Sequence, residues 1–367
     1  MTMVEAIQRM SDEIYMRQAL ALAAHGAGRT HPNPTVGSVV VSEGEVIGEG
    51  WHRGPGRPHA EVEALSRAGE KARGGTLYVT LEPCAASGRT PPCTLAIVKA
   101  GITRVVYASS DPNPKMSGGG AWLEGHGISV TANVLEAEAD ALNRPFLYAH
   151  RLGRPYVLAK AGISLDGKLA TRRMHSQWIT NELSRKHSHA IRAECHAVLV
   201  GSGTLNMDNP SLTVRHVPIG GRPPLRVMFG AHAPVFQSDY NFADGEVPAR
   251  LYVCHDNRHV ADWQRAGVDV VRVDGVLPML RHLVADQRWQ ILLEGGGGLH
   301  AAFLEARLTD EMILYQAPIL IGGSDAIGLW HGTGVNRVEE APRLVDVQRR
   351  MFGEDQMIRG RVVYPEA

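Results

Sequence analysis

Cysteine is scarce, with four in 367 residues, which excludes the disulfide-stapled scaffolds of small secreted proteins. An excess of charge of either sign is also missing. The 38 Lys+Arg balance the 38 Asp+Glu, so no general field draws a nucleic acid, and the aromatic-basic clusters on which a single strand would stack are absent. No apolar run approaches the roughly 18 to 20 residues needed to span a bilayer. The opening residues, MTMVEAIQRMSDE, have neither the basic nor the apolar segment of a secretory leader. These absences predict a soluble cytoplasmic protein that engages neither nucleic acid nor membrane. No internal repeat is visible, and the length suits two or three domains.

The positions of the cysteines say more than their number. The chain reads His59-Ala60-Glu61, then Leu81-Glu82-Pro83-Cys84, then Gly88-Arg89-Thr90-Pro91-Pro92-Cys93. One imidazole and two thiolates are three zinc ligands, and three protein ligands leave a fourth position open for water, as a catalytic zinc requires. Glu61 is then the base beside the metal. This follows the His-x-Glu and Pro-Cys-x-x-Cys pattern of zinc-dependent nucleobase deaminases, with one departure: eight residues separate Cys84 from Cys93. Two other readings use the same residues. One is a closed structural zinc with His52 as fourth ligand; the other is a Cys84–Cys93 disulfide, which a reducing compartment disfavours. Cys195 and Cys254 lie in or beside apolar runs and read as small buried hydrophobes.

Periodicity places these residues. Asp12 reads as the N-cap of a helix over 12–25, leaving the first ten or so residues as a loose extension. Segments 36–41 and 45–49 read as a hairpin. The Gly/Pro-rich 51–58 is a loop, so His59 falls at a loop-to-helix transition with Glu61 in the first turn. Residues i and i+2 of a regular helix diverge by about 200°, whereas at a helix start both can aim at one pocket. Segment 76–80 is a strand with Cys84 in the loop after it. Cys93 opens a helix over 94–100, where partial positive charge favours a thiolate. A strand over 104–108 and helices over 119–126 and 136–148 complete a sheet covered by helices on both faces.

The alternation restarts around 143–155, and the boundary is placed near Gly153. Beyond it, strands are predicted over 156–163, 197–200, 226–229, 250–254, 269–272, 291–293 and 311–316, with 358–363 closing the sheet. Helices are predicted over 181–193 and 299–306. The run Glu294-Gly295-Gly296-Gly297-Gly298 follows a strand and precedes a helix. Its glycines would let the backbone approach a pyrophosphate at a helix N-terminus, although a tight strand-to-helix turn explains them equally well.

The stretch from His59 to Cys93, with its long Gly-Arg-Thr-Pro-Pro loop, resembles the deaminase domain of the bifunctional riboflavin-biosynthesis deaminase-reductases. Residues 160–168 (KAGISLDGK), 176–180 (SQWIT) and 208–215 (DNPSLTVR) resemble the reductase domain of the same family, and the likeness extends over nearly the whole chain. It implies an α/β protein with an N-terminal cytidine-deaminase-like three-layer domain at 1–153 and a C-terminal dihydrofolate-reductase-like α/β domain at 154–367. Zinc would serve the first and NADPH the second. The resemblance places Asn33, His52, Arg89 and Thr90 around the deaminase substrate. It places Gly162, Trp178, Thr204, Asp208 and the run Gly296, Gly297, Gly298, Leu299, His300, Ala301 and Ala302 at the cofactor. Ser176, Arg192, Leu212, Arg215 and Glu294 fall at the ribose-phosphate substrate, where the planar fork of an arginine can bind two oxygens at once. Four positions depart from the family pattern: Ala86 for a histidine, Met174 for a loop glycine, Asn209 for an aspartate, and Gly230 for the aspartate after the strand. They bear on affinity and not on the reaction class.

The implied reactions are deamination of a diaminopyrimidinone bearing a phosphoribosylamino group, then reduction of the ribosyl chain of that product to ribityl. Glu61 takes a proton from the zinc-activated water and passes it to the leaving ammonia. Lys160 is the candidate to polarise or protonate oxygen in the hydride step, the alternative being a salt bridge to Asp166 or another acid. Because the family associates through its reductase domains, a homodimer or homotetramer is expected. The rival functions are a nucleic-acid-editing deaminase and a protein whose second half binds a nucleotide without catalysis.

Overall fold

The computed structural model describes residues 2–88 and 91–366. The chain divides into two units, Met1–Leu152 and Gly153–Ala367, each built on its own sheet.

The first unit runs α1 (Met3–Ala24), β1 (Gly37–Ser42), β2 (Glu45–Trp51), α2 (Ala60–Ala68), β3 (Thr76–Leu81), α3 (Cys93–Ala100), β4 (Arg104–Ser109), α4 (Gly119–Glu124), β5 (Ser129–Thr131), α5 (Glu136–Leu142) and α6 (Arg144–Leu152). The strand order is β2-β1-β3-β4-β5, with β1 antiparallel to β2 and β3, and β3, β4 and β5 parallel. Strand side chains alternate faces, and the core follows that alternation. Val40, Leu77 and Val105 pack with Ala64 and Leu65 of α2, Ile97 of α3 and Leu123 of α4. Val39, Val41, Tyr78 and Val106 pack with Met16 and Ala19 of α1 and Ala139 of α5. Apolar on both faces, this sheet is the middle of three layers.

The second unit runs β6 (Tyr156–Ser164), β7 (Lys168–Ala170), α7 (Glu182–Glu194), β8 (Ala197–Gly201), α8 (Ser202–Asp208), β9 (Leu225–Gly230), β10 (Ala249–Val253), α9 (Val260–Arg265), β11 (Asp269–Arg272), α10 (Val276–Ala285), β12 (Gln290–Leu293), α11 (Gly297–Glu305), β13 (Glu311–Ala317), β14 (Ile327–Gly328), β15 (Arg343–Phe352) and β16 (Asp355–Val363). Its main sheet has the order β11-β10-β9-β8-β12-β6-β13-β16-β15. The strands are parallel through β13, and β16 and β15 are antiparallel additions. One face packs on Ile191 of α7, Leu205 of α8 and Trp263 of α9; the other packs on Met279, Leu280 and Leu283 of α10 and Phe303 of α11.

Three expectations are corrected. The first helix begins at Met3, because Thr2 and Glu5 form a reciprocal capping box. Asp12 therefore lies inside it, where it accepts from Arg104 at 2.7 and 2.8 Å and from the Tyr78 hydroxyl at 2.9 Å. The helical stretch 136–148 is broken at Asn143, whose side chain accepts from Thr35 N (2.7 Å) and donates to Thr35 O (2.9 Å). Such side-chain bonds to backbone compete with helix continuation. The second sheet closes on β15 and not on β16; six of the ten β15 residues are exposed and none is buried, so no buried alternation announces the strand. Among the described residues no helix is long and apolar enough to cross a membrane.

Candidate active sites

Three backbone features assemble the first site. His59 is the extended N-cap residue of α2 (φ −71°, ψ 159°), Cys84 lies in the loop after β3, and Cys93 is the first residue of α3. His59 Nδ1 lies 3.1 Å from Cys93 Sγ and 3.7 Å from Cys84 Sγ, and the ligand atoms of all three lie within 4.8 Å of one another. The Cys93 amide donates to Cys84 Sγ at 3.3 Å, so the start of α3 favours a thiolate there. Hydrogen bonding from the Cys93 thiol, helped by His59 and the Cys93 amide, outweighs burial and holds the Cys84 thiol down at about 4. Cys93, as donor to Cys84 and itself buried, is pushed well above its ordinary value. One imidazole and two cysteine sulfurs, one of them held toward the thiolate, form a soft three-donor set suited to zinc.

Glu61, in the first turn of α2, is buried and hydrogen-bonded to the Cys93 thiol; burial raises its carboxyl above the ordinary range. Asn33 and His52 are brought to the same place. His52 Nδ1 donates to the Pro58 carbonyl (3.1 Å), so its Nε2 is the bare nitrogen and accepts from the Asn33 amide (2.9 Å). The His52 ring stands edge-on to His59 at 5.5 Å. Bound in this way and outside the cluster of donor atoms, His52 is not placed as a fourth metal ligand. Arg89 and Thr90 lie outside the described residues.

Two acids near this site escaped the sequence reading. Glu82 accepts from the amides of Asp111, Gly118 and Gly120 at 3.0 to 3.2 Å, fixing the 111–120 loop beside Cys84. Asp111 is pushed up to about 6, chiefly by burial and then by Glu82 and Cys84. Its position in Asp-Pro-Asn-Pro carries only a turn signal, and proximity to the cysteines is purely tertiary.

The second site is a cavity of about 1220 Å³, larger than the roughly 300 to 1,000 Å³ of a typical small-molecule pocket. It opens where ligands collect in open parallel sheets, outside the carboxyl ends of the strands. The ends of β6, β8, β9 and β12 supply Lys160, Gly162, Gly201, Gly230 and Glu294, and the N-termini of α8 and α11 face it with Ser202, Gly203, Gly297 and Gly298. Side chains added at Gly203 or Gly298 would meet nothing within 4 Å, so open space lies beside both helix starts. That geometry fits a pyrophosphate.

Of the residues expected here, Lys160, Gly162, Ser176, Trp178, Arg192, Thr204, Asp208, Arg215, Glu294, Gly296, Gly297, Gly298, Leu299 and Ala302 line the cavity. Leu212, His300 and Ala301 do not; all three are buried in the core behind it. Glu294 joins two cations, with Arg192 Nη2 2.6 Å from Oε2 and Lys160 Nζ 3.4 Å from Oε1. Burial raises the Glu294 carboxyl, but Arg192 and Lys160 prevail and hold it at about 2. The acid beside Lys160 is thus Glu294; Asp166 is instead satisfied by the Ser164 hydroxyl and the amides of Ile321 and Gly322. Trp178 is exposed, with the Arg185 guanidinium 4.4 Å over its ring.

Two departures acquire structural meaning. Met174 has φ 63°, a left-handed conformation that glycine adopts freely and methionine does not. Asn209, also left-handed, donates its amide to Asp239 O (2.9 Å) while Oδ1 accepts from Asn241 N (2.8 Å). An aspartate could make only the second bond.

A donor cluster suited to zinc in one unit and a cavity roomy enough for a dinucleotide over a parallel sheet in the other define a zinc-dependent deaminase joined to a reductase. Comparison with known proteins agrees. Residues 9–109 match the cytidine and deoxycytidylate deaminase zinc-binding region, and residues 155–358 match the RibD C-terminal domain. The riboflavin biosynthesis protein RibD of Aquifex aeolicus is 42% identical over 95% of this chain and 98% of its own. The structure of Acinetobacter baumannii RibD superposes with a TM-score of 0.86 at 36% identity, covering 97% of this chain and 99% of that one. A Thermotoga maritima structure described as a diaminohydroxyphosphoribosylaminopyrimidine deaminase/5-amino-6-(5-phosphoribosylamino)uracil reductase gives 0.84 at 33%, covering 97% and 100%. The chain belongs to the RibD family, the bifunctional deaminase-reductases of riboflavin biosynthesis.

Proposed function

We propose that the first unit hydrolyses the ring amino group of 2,5-diamino-6-(5-phosphoribosylamino)pyrimidin-4-one, releasing ammonia and 5-amino-6-(5-phosphoribosylamino)uracil. The second unit then reduces the ribosyl chain of that product to ribityl with NADPH. The observation that carries the reading is the meeting of His59, Cys84 and Cys93 around the buried Glu61. His59, Cys84 and Cys93 would hold a zinc ion, which would supply the Lewis acidity that lowers the pKa of a water toward neutral. Glu61 takes the proton of the attacking water and returns it to the departing nitrogen, and its burial suits it to hold that proton between the two steps. Asn33 and His52, locked to each other, present polar groups to the pyrimidine, and Arg89 and Thr90 are further candidates for substrate contact.

In the second unit the N-termini of α8 and α11 cradle the NADPH pyrophosphate, with Gly162, Trp178, Thr204 and Asp208 along the cofactor. Arg192 and Arg215 hold the substrate phosphate and Ser176 its ribose, while Leu212 packs in the core behind them. Lys160, paired with Glu294 at 3.4 Å, is the proton source that complements the hydride. We assign His300 and Ala301 a packing role behind the cofactor helix. The enzyme is assigned to the cytoplasm, as a homo-oligomer joined through its second unit.

The test combines metal analysis with two separate assays. About one zinc per chain, ammonia release from the diaminopyrimidinone, and loss of NADPH absorbance with the deaminated product are expected. Ammonia release without NADPH oxidation on that product would refute the reductase assignment.

A further inference from the structure

Arg215 lies in an irregular stretch whose neighbours Leu212 and His216 both have positive φ (53° and 67°). No regular hydrogen-bonding pattern fixes the direction of its side chain. Its guanidinium lines the cavity and has no partner among the described residues. The stretch is tethered from one place, the cavity face of α7. Arg192 Nη1 donates to Thr213 O at 2.5 Å, and the backbone N–H of Arg215 donates to His189 Nδ1 at 3.1 Å. His189 and Arg192 are three apart, hence neighbours on one helix face, and His189 is a buried cavity-lining histidine with no role in the chemistry above.

We propose that His189 is a positioning residue for phosphate recognition in the reductase site: its bare Nδ1 holds the Arg215 backbone and so aims that guanidinium into the cavity beside Arg192. An amide can only donate, so Nδ1 must accept and the ring proton must sit on Nε2. A protonated His189 would break the tether. Burial, then Arg192 and Arg215, with His216 edge-on at 5.3 Å, lower the imidazole to about 4, and Glu294 opposes them only in part. The ring is therefore neutral wherever the enzyme is folded near neutral pH. The proposal rests on the reading of Arg215 as a phosphate ligand, and its test separates the two.

In the full-length zinc-loaded enzyme, His189→Leu should raise the KM for the phosphorylated reductase substrate about tenfold and that for its dephosphorylated analogue by less than about twofold, the scale of losing a charge-assisted contact. His189→Asn, whose side-chain oxygen can accept from the Arg215 amide, should recover to within about threefold of wild type. Equal losses on both substrates, or no recovery in the asparagine variant, would overturn the proposal. Arg215→Ala is measured alongside. Discrimination in Arg215→Ala but not in His189→Leu overturns the positioning role and leaves the phosphate reading standing; discrimination in neither overturns both. Should the leucine variant fail to fold, ring ¹⁵N shifts of wild-type His189, assigned by their loss in His189→Asn, decide the matter. A bare Nδ1 with protonated Nε2 supports the tether, and the opposite tautomer contradicts it.

Discussion

The two sites of this chain are built by contrasting means. The deaminase centre gathers its reactive atoms from a span of 35 residues, His59 to Cys93, at two helix starts and one loop, with its donor atoms within 4.8 Å of one another. The reductase cavity draws on segments from Lys160 to His331, and no single stretch of it is chemically complete. The difference follows from where each reaction gets its power. A metal concentrates charge at a point, so three ligands and one acid suffice. Hydride transfer needs two bound molecules held in register, and that takes wall area and many positioning contacts.

Breaking the compact site should therefore be close to all-or-none, and breaking the distributed one graded. Cys84→Ser or Cys93→Ser replaces a soft ligand with a hard alcohol. Zinc content and ammonia release should fall together to background, while NADPH oxidation on pre-deaminated substrate persists; tightly held stoichiometric zinc in both variants would place the ligands elsewhere. Arg192→Ala comes next, because among the described residues it leaves the buried Glu294 with Lys160 alone as counter-charge. Breaking a buried pair costs about 3 kcal/mol, read as a drop in urea midpoint at pH 7. The gap to wild type should close in acid. The folded Glu294 titrates at about 2 against an ordinary 4.5, so its stabilising share is complete above 4.5 and is lost as pH falls toward 2. A gap that stays constant down to pH 3 would contradict that pairing.

Arg215→Ala removes an exposed guanidinium that has no partner among the described residues, and it should leave stability untouched. Its effect is a KM about tenfold higher for the phosphorylated reductase substrate, and an equal rise for the dephosphorylated analogue would deny it a phosphate. The smallest expected effect belongs to Asn209→Asp, which turns a donor to Asp239 O into an acceptor facing it. At this half-buried position a loss of about 1 kcal/mol is expected in thermal denaturation, and a gain in stability would refute the assigned bond.

The same contrast decides what was legible in the sequence. His59, Glu61, Cys84 and Cys93 announce themselves because zinc chemistry restricts both residue type and local spacing, and the strand–helix alternation of both halves follows apolar periodicity. Glu82, Asp111 and His189 were missed because each acts through tertiary proximity: one accepts three loop amides, one sits near a thiolate, one holds a backbone N–H from another segment. Asp12 was misread as a cap because an aspartate before an apolar run has the same local signature whether it caps a helix or binds a buried arginine inside one. Strand β15 buries none of its side chains, so no periodic signal marks it. His300 and Ala301 follow the glycine run in sequence, but the helical turn carries them away from the cavity wall.

The most direct test of two chemically independent sites is Glu61→Gln, which keeps shape and leaves His59, Cys84 and Cys93 intact. Ammonia release should fall by about 10² to 10⁴, the range of general acid–base catalysis, with zinc content and substrate binding retained and NADPH oxidation on pre-deaminated substrate within about twofold of wild type. Loss of both reactions in a folded, zinc-loaded Glu61→Gln protein would contradict this account and require a single composite site.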